Sequence, residues 1–212
     1  MEELEEKVDH FQLIQFPLLF IIFIWIIQLV QVFTGLDFAR YGLLPHTTKG
    51  LIGIITAPLI HSNFNHIISN TIPLLLLGSG IFYFYKDVAH KMFFMVFLIP
   101  GILVWFLGRS SYHIGSSGIV YGFVTFVFFS GLIRRDNRSI ALALIVTFLY
   151  GSLIWGILPL SRDISWEYHL FGALTGIYAA IIFRKSDPVK KYDWEDEVDI
   201  PPEDNITIQN YD

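Results

Sequence analysis

The stretch LIQFPLLFIIFIWIIQLVQVF, residues 13–33, decides the class of fold, because it contains no charged side chain. A helix needs about 20 mostly apolar residues to cross the hydrocarbon core of a bilayer, and this stretch reaches that length. It is too long for the apolar core of a signal peptide, and the acidic leader before it, MEELEEKVDH, lacks a basic start. We therefore expect a membrane-spanning helix here rather than a cleaved signal.

Further apolar segments follow this first one along the chain. They cover residues 66–85, 92–107, 116–133, 140–158 and 168–183. Within lipid, backbone N–H and C=O groups need partners inside the protein, which excludes strands with open edges. The sequence therefore predicts an all-α, polytopic membrane protein with six transmembrane helices.

The composition supports this class and excludes others. Hydrophobic residues make up 54% of the chain and charged residues 16%, against about 45–50% and about 25% in soluble domains. The absence of cysteine excludes disulfides, Cys-based zinc sites and a thiol nucleophile. A net charge of −5 does not indicate nucleic-acid binding.

The distribution of Lys and Arg predicts the orientation. If the N-terminus is cytoplasmic, 10 of the 14 basic residues lie on the cytoplasmic side and 4 outside. The four outside are Arg40, Lys49, Arg109 and Arg162. Because basic residues accumulate on the cytoplasmic side, both termini are expected there.

These assignments divide the chain into three parts. Residues 1–12 form an acidic cytoplasmic leader, residues 13–185 the membrane domain, and residues 186–212 an acidic tail that we expect to be disordered. Inside the membrane domain, residues 34–65 are too interrupted by Gly53 and Pro58 to span, so short helices at the outer interface are expected.

Polar residues inside predicted spans are costly in lipid and indicate function by default. Three segments carry them near the start, at His66 and Asn70, at Ser117 and Tyr121, and at His169. The pairs four residues apart share a helix face. With both termini inside, the second, fourth and sixth segments all start on the outer side, so these groups lie at similar depth.

Glycines at helical spacing accompany these polar residues. Gly118 and Gly122 share one face, as do Gly172 and Gly176, and such small-residue pairs let two helix backbones approach closely. If the two faces meet, the Ser117 hydroxyl can reach the His169 imidazole.

A serine and a histidine in contact are suited to nucleophilic hydrolysis. The serine hydroxyl needs a base to take its proton, and a histidine titrates near working pH. Donors for the oxyanion are available from the Ser117 backbone N–H, the Asn70 amide and the His66 imidazole. Glu167 is two residues from His169 and so faces elsewhere on a helix, which predicts a dyad without a third acid.

The combined pattern resembles the rhomboid family of intramembrane serine proteases. The matching elements are GSSG at 115–118 with Gly122, HLFGALTG at 169–176, and HIISN at 66–70. The resemblance covers about residues 34–183. Many bacterial members carry a Trp-Arg pair in the first outer loop, whereas this loop reads GLDFARYGLLP, with Arg40 and no Trp.

The resemblance implies a role for each matching residue. Ser117 would be the nucleophile and His169 the general base, with His66 and Asn70 completing the oxyanion hole. Tyr121 would orient His169, while Gly115 and Gly118 support the dyad and Gly122, Gly172 and Gly176 pack the helices. The implied substrates are transmembrane proteins cut near the outer face of the bilayer, and neither a cofactor nor a metal is expected.

Two other functions stay open from the sequence. One is a non-catalytic rhomboid-like protein that binds membrane clients, although an intact Ser, His and Asn set argues against it. The other is a haem or metal protein that uses His66 and His169 as ligands, in which Ser117 would have no role.

The expected location is a prokaryotic cytoplasmic membrane. The candidate for a mobile gate is the segment at 140–158 together with the loop that follows it. Gly151 and Gly156 lie in the segment, and Pro159 begins the loop.

Overall fold

The structure, a computed structural model, describes residues 10–161 and 164–188. Within them the chain is helical, with one isolated antiparallel bridge between Leu43 and His113 and no strand. The α-helices in chain order are α1 (His10–Thr34), α2 (Gly53–Thr56), α3 (Phe64–Phe84), α4 (Ala89–Leu107), α5 (Ser117–Arg134), α6 (Asn137–Tyr150) and α7 (Trp166–Ile182).

The predicted all-α membrane fold is confirmed. Five stretches are long and apolar enough to cross a membrane: α1, α3, α4, α5, and α6 together with the 3-10 helix that follows it. The sixth long helix, α7, has 17 residues and is apolar but shorter. All six predicted segments coincide with long helices. That all six cross the membrane, and that both termini are cytoplasmic, stay predictions.

The helix ends lie within three residues of the predicted ends, except in the fifth segment. There the α-helix ends at Tyr150 and the chain continues as a 3-10 helix over Gly151–Ile157. Glycine favours this change because it is a poor former of α-helix. Leu158 then becomes extended, as expected for the residue before a proline, since Pro159 disfavours the helical conformation there.

The region between α1 and α3 folds into short helical pieces, as predicted. They are the 3-10 turns Ala39–Tyr41, Lys49–Ile52 and Ala57–Leu59, and the single α-turn α2. The Trp105 indole donates to the carbonyl of Thr47 at 3.0 Å, which ties this region to the end of α4. No membrane is present in the structure, so its interfacial position stays a prediction.

Helix α5 is the centre of the bundle. Over 18 apolar residues of each segment, 56% are buried in α5, 22% in α1, and 11% in α6 with its 3-10 extension. The large apolar side chains of the outer helices face outward, for example Phe33 and Phe148, which are 84% and 89% exposed. Such a surface suits contact with lipid rather than water.

Helices α3, α5 and α7 begin at the same end of the bundle, which we call the upper end. The opposite, lower end carries the turn from α5 to α6 and the chain after α7. Residues 1–9 of the predicted leader and residues 189–212 of the predicted tail lie outside the described residues.

Candidate active site

The first turns of α3, α5 and α7 surround one cavity of about 750 Å³ at the upper end. The predicted site residues His66, Asn70, Ser117, Tyr121 and His169 all line it. These residues come from three separate segments of the chain, and the parallel packing of the helix starts brings them together.

A hydrogen bond of 2.7 Å joins Ser117 Oγ to His169 Nε2. Ser117 is the first residue of α5 and His169 lies in the first turn of α7. Ser117 is partly buried, and His169 is 9% exposed. The distance is that of a nucleophile in contact with its base.

The other imidazole nitrogen, His169 Nδ1, lies 2.9 Å from the carbonyl oxygen of Gly156. A carbonyl only accepts, so Nδ1 carries the proton and Nε2 presents its lone pair to Ser117. Glu167 is directed elsewhere, since its Oε1 lies 3.4 Å from Arg109 Nε. Among the described residues, the histidine is therefore oriented by a backbone carbonyl and not by a carboxylate.

Tyr121 lies one turn after Ser117, and its ring is stacked on the His169 ring. The centroids are 4.2 Å apart and the planes differ by 8°. The Tyr121 hydroxyl donates to the carbonyl of Leu153 at 2.8 Å. The same 3-10 helix, Gly151–Ile157, thus accepts hydrogen bonds from Tyr121 and His169.

His66 and Asn70 occupy successive turns of α3. Asn63 caps this helix, with its Oδ1 accepting the His66 backbone N–H at 2.9 Å. Asn70 is 4% exposed and donates one amide hydrogen to the carbonyl of His66 at 3.0 Å, which leaves its second amide hydrogen for the cavity. His66 Nδ1 lies 3.3 Å from Ser62 Oγ.

Gly115 precedes the nucleophile in a conformation that favours glycine, with φ of +108°. The His66 ring is also close to it, since a Cβ on Gly115 would lie 2.6 Å from His66 Nε2. Its backbone N–H donates to the carbonyl of Ala57 at 2.8 Å. Two independent constraints, backbone angle and ring contact, therefore require glycine here.

The glycine pairs lie where the backbones of α5 and α7 are in contact. A Cβ on Gly172 would lie 2.9 Å from the carbonyl carbon of Gly118, and one on Gly176 equally close to that of Gly122. Thr125 Oγ1 adds a hydrogen bond across the interface to the carbonyl of Ala173 at 2.8 Å. This close approach is what allows a short side chain, Ser117, to reach His169.

Sequence reasoning missed the partners that orient the predicted residues. Gly156, Leu153 and Ser62 act through backbone or short polar groups. Gly156 had a signal, since a small residue in an apolar segment often marks close approach, and a Cβ there would lie 3.3 Å from His169 Nδ1. The sequence contains no signal for the Leu153 carbonyl, because every residue has a backbone carbonyl.

The electrostatics of the loops around the cavity favour neutral histidines. Burial, together with the neighbouring His66, lowers the pKa of His61 to about 3. Burial also lowers the pKa of His113. Residues 10–161 and 164–188 contain no group of three or more His, Cys, Asp or Glu that could hold a metal ion.

The fold and this site define a class, an all-helical membrane protein with a serine and a histidine in contact at the start of two helices of the bundle. Comparison with known proteins gives the family, since the Rhomboid domain matches residues 48–186. The chain belongs to the rhomboid family and is an integral membrane protein.

Similar sequences occur in mycobacteria. An uncharacterized protein of Mycobacterium tuberculosis is 32% identical over 192 residues, which covers 82% of this chain and 78% of the relative. One of Mycobacterium leprae is 34% identical over 188 residues, which covers 82% of this chain and 72% of the relative. The bacterial origin of these relatives fits the expected prokaryotic source.

Proposed function

We propose that this protein is an intramembrane serine endopeptidase that cuts membrane-protein substrates through a Ser117–His169 dyad. The observation that carries the proposal is the 2.7 Å hydrogen bond between Ser117 Oγ and His169 Nε2 inside a cavity open to solvent-sized molecules. Family membership supports it independently.

In the proposed reaction, Ser117 Oγ attacks the carbonyl carbon of the scissile peptide while His169 Nε2 takes its proton. The resulting imidazolium then protonates the leaving amine nitrogen, so that the C–N bond breaks and an acyl-enzyme remains. The same Nε2 then deprotonates a water molecule, which attacks the carbonyl carbon of the ester. When the bond to Ser117 Oγ breaks, the imidazolium returns the proton to that oxygen. Throughout, the Gly156 carbonyl holds Nδ1–H and thus the tautomer that the reaction needs.

The oxyanion of each tetrahedral intermediate would be stabilised by three donors. These are the Ser117 backbone N–H, which belongs to the first turn of α5, the second amide hydrogen of Asn70 and the His66 imidazole. Their position on two packed helices, of which α3 is capped by Asn63, means that they need little reorganisation when the negative charge forms.

The substrates we propose are transmembrane proteins that present an unwound segment to the upper end of the bundle. The cavity is bordered on one side by α3, at Ser69 and Pro73, and on the other by the end of α6, at Leu149 and Tyr150. A helical peptide bond is shielded by its own hydrogen bonds, so a substrate must unwind before Ser117 can attack.

The proposed location is a bacterial cytoplasmic membrane, with the cavity toward the outer side and both termini in the cytoplasm. The excess of Lys and Arg on the lower side supports this orientation. The mycobacterial relatives support a bacterial source.

The test is labelling of the purified, detergent-solubilised protein with a fluorophosphonate, which reacts with activated serines. We expect labelling of the wild type, none of Ser117→Ala, and a loss of about 10²–10⁴-fold for His169→Ala. Ser152→Ala is the matched control, since Ser152 is exposed and lines the same cavity, and it should be labelled like the wild type.

Labelling that persists in Ser117→Ala would overturn the assignment of the nucleophile. If two different serine-reactive probes both fail on folded wild-type protein, the protease proposal falls and the client-binding function is favoured.

A further inference from the structure

His61 is a buried histidine that the proposed reaction does not use. It lies in the turn between the 3-10 turn Ala57–Leu59 and α3, and it is 1% exposed. Burying a histidine that forms no polar contact costs free energy, because its ring nitrogens lose their hydrogen bonds to water. Its contacts show what holds it there.

The first contact is with the residue directly before the nucleophile. Ser116 donates its backbone N–H to His61 Nε2 at 3.3 Å, and Ser116 Oγ lies 3.1 Å from the same nitrogen. A backbone N–H can only donate, so Nε2 carries the lone pair. His61 therefore restrains the peptide that leads into Ser117, whose own N–H is one of the proposed oxyanion donors.

The second contact is with another proposed oxyanion donor. The His61 and His66 rings meet edge to face, with centroids 5.0 Å apart and planes at 73°. On its other side the His66 ring lies against Gly115. His66 is thus held between His61 and the loop before the nucleophile.

The backbone of His61 is itself anchored to α1. Gln31 donates its side-chain N–H to the carbonyl of His61 at 3.2 Å and accepts the N–H of Phe38 at 3.3 Å. The turn that carries His61 is therefore connected to α1, α3 and the start of α5 at once.

We propose that His61 is a positioning residue that sets the distance between the two sides of the oxyanion hole, the Ser117 N–H on α5 and the His66 ring on α3. This inference rests on the proposed serine-protease function. His61 touches no reacting atom and acts through Ser116 and His66. Its removal should slow the step in which negative charge develops, without weakening the initial binding of a ligand.

The experiment measures fluorophosphonate labelling of the full chain in detergent at several probe concentrations. This separates the maximal rate of phosphonylation from the concentration that gives half of that rate. For His61→Ala we expect the maximal rate to fall about tenfold, the change expected for loss of one buried hydrogen bond, with an unchanged half-saturating concentration.

Two conservative variants test the atom that matters. The amide of glutamine can place an acceptor near the position of Nε2, whereas the shorter asparagine reaches only the position of Nδ1. We expect His61→Gln to keep the maximal rate within about threefold and His61→Asn to lose as much as His61→Ala. Equal rates for the two amide variants would overturn the assigned contact with Ser116.

His113→Ala is the matched control for general damage to the loops. His113 is 0% exposed, also makes a polar contact through Nε2, which donates to the carbonyl of Arg109 at 3.2 Å, and does not line the cavity. It should lower the thermal unfolding midpoint while the rate per folded molecule stays at the wild-type value. An equal fall in that rate would mean that His61 acts through loop stability alone, which overturns the proposal.

The contact with Ser116 also predicts non-additivity. In a double-mutant cycle, Ser116→Ala should slow the wild type but have little further effect on His61→Ala. The failures are distinguishable, because an unlabelled wild type removes the protease proposal, whereas a labelled wild type with an equally fast His61→Ala removes only this inference.

Discussion

At the scale of single residues, His169 differs from the histidine of a Ser-His-Asp triad in the group that orients it. In the triad a carboxylate holds Nδ1–H and stabilises the imidazolium. Here the Gly156 carbonyl holds the tautomer but carries no net charge. The Tyr121 ring, stacked on His169, presents the electron-rich face that favours a cation. In the proposed mechanism these two neighbours together take the place of the acid.

A second consequence at this scale is a pH dependence of stability. Because the pKa of His61 is lowered to about 3 in the folded protein, the unfolded chain binds an additional proton below its ordinary value of about 6.5. The stability contributed by neutral His61 is therefore fully present above about pH 6.5 and is lost as the pH falls from there toward 3.

We expect the thermal unfolding midpoint in detergent to fall as the pH is lowered from 7 to 4. The fall should be less steep in His61→Gln, because this variant takes up about one proton fewer when it unfolds. Glutamine is the suitable replacement because it does not titrate in this range. Parallel curves for the two proteins would show that His61 is not a neutral buried group.

At the scale of elements, the interface of α5 and α7 determines whether the site can form. Gly118 and Gly172 place the two backbones in contact, and Gly122 and Gly176 repeat this one turn further from the upper end. Gly122 also faces Val96 of α4, so a side chain there would meet two neighbours. A larger residue at any of these positions separates the helices that carry Ser117 and His169.

Gly172→Ala should therefore destabilise the protein by about 1–3 kcal/mol, because the new Cβ would be forced against the Gly118 carbonyl. Gly80→Ala in α3 is the control, since a Cβ on Gly80 would meet no atom of the described residues within 4 Å, its own helix backbone aside. That change should be neutral or stabilising by about 0.5–1 kcal/mol.

Thermal unfolding in detergent, combined with fluorophosphonate labelling, measures both variants. Labelling should fall with stability in Gly172→Ala and stay unchanged in Gly80→Ala. Equal unfolding midpoints would argue that the two glycines are equivalent and that the α5–α7 contact is loose.

At the scale of the whole molecule, the lower end of the bundle closes around the chain that leaves α7. Arg134, at the end of α5, donates to the carbonyls of Ser186, at 2.9 Å, and Asp187. Arg138 of α6 also reaches the Asp187 carbonyl, at 3.0 Å, and Asp187 Oδ1 accepts the N–H of Asp87 at 2.9 Å. These bonds join three connections of the bundle far from the cavity.

We expect Arg134→Met to lower stability by about 2 kcal/mol, since the Ser186 carbonyl loses its Arg134 donor and the Asp187 carbonyl keeps only the one from Arg138. The rate of fluorophosphonate labelling per folded molecule should not change, because the cavity lies at the other end. Arg184→Met is the control: Arg184 is exposed, and among the described residues its hydrogen bond is to the carbonyl of Ile181, three residues earlier, at 3.1 Å. Equal unfolding midpoints for the two variants would contradict the role of Arg134.

The long helices could be predicted from sequence because lipid imposes a simple rule, an apolar run of sufficient length. The fifth segment departed from prediction, since apolarity alone does not distinguish an α-helix from the 3-10 helix over Gly151–Ile157. The site residues could be proposed because they are polar groups in apolar segments, where a polar group is costly unless it has a function or a partner. They are Ser117, His169, His66 and Asn70.

The sequence by itself determined the class of fold and the residue types of the site, because hydropathy and helical spacing are local properties of the chain. Only the tertiary structure decided which groups orient them. The Gly156 carbonyl on His169 and the His61 ring on Ser116 join residues 13 and 55 positions apart. Such contacts depend on how the helices pack; a glycine such as Gly156 can indicate a close approach, but the sequence does not say which group approaches it.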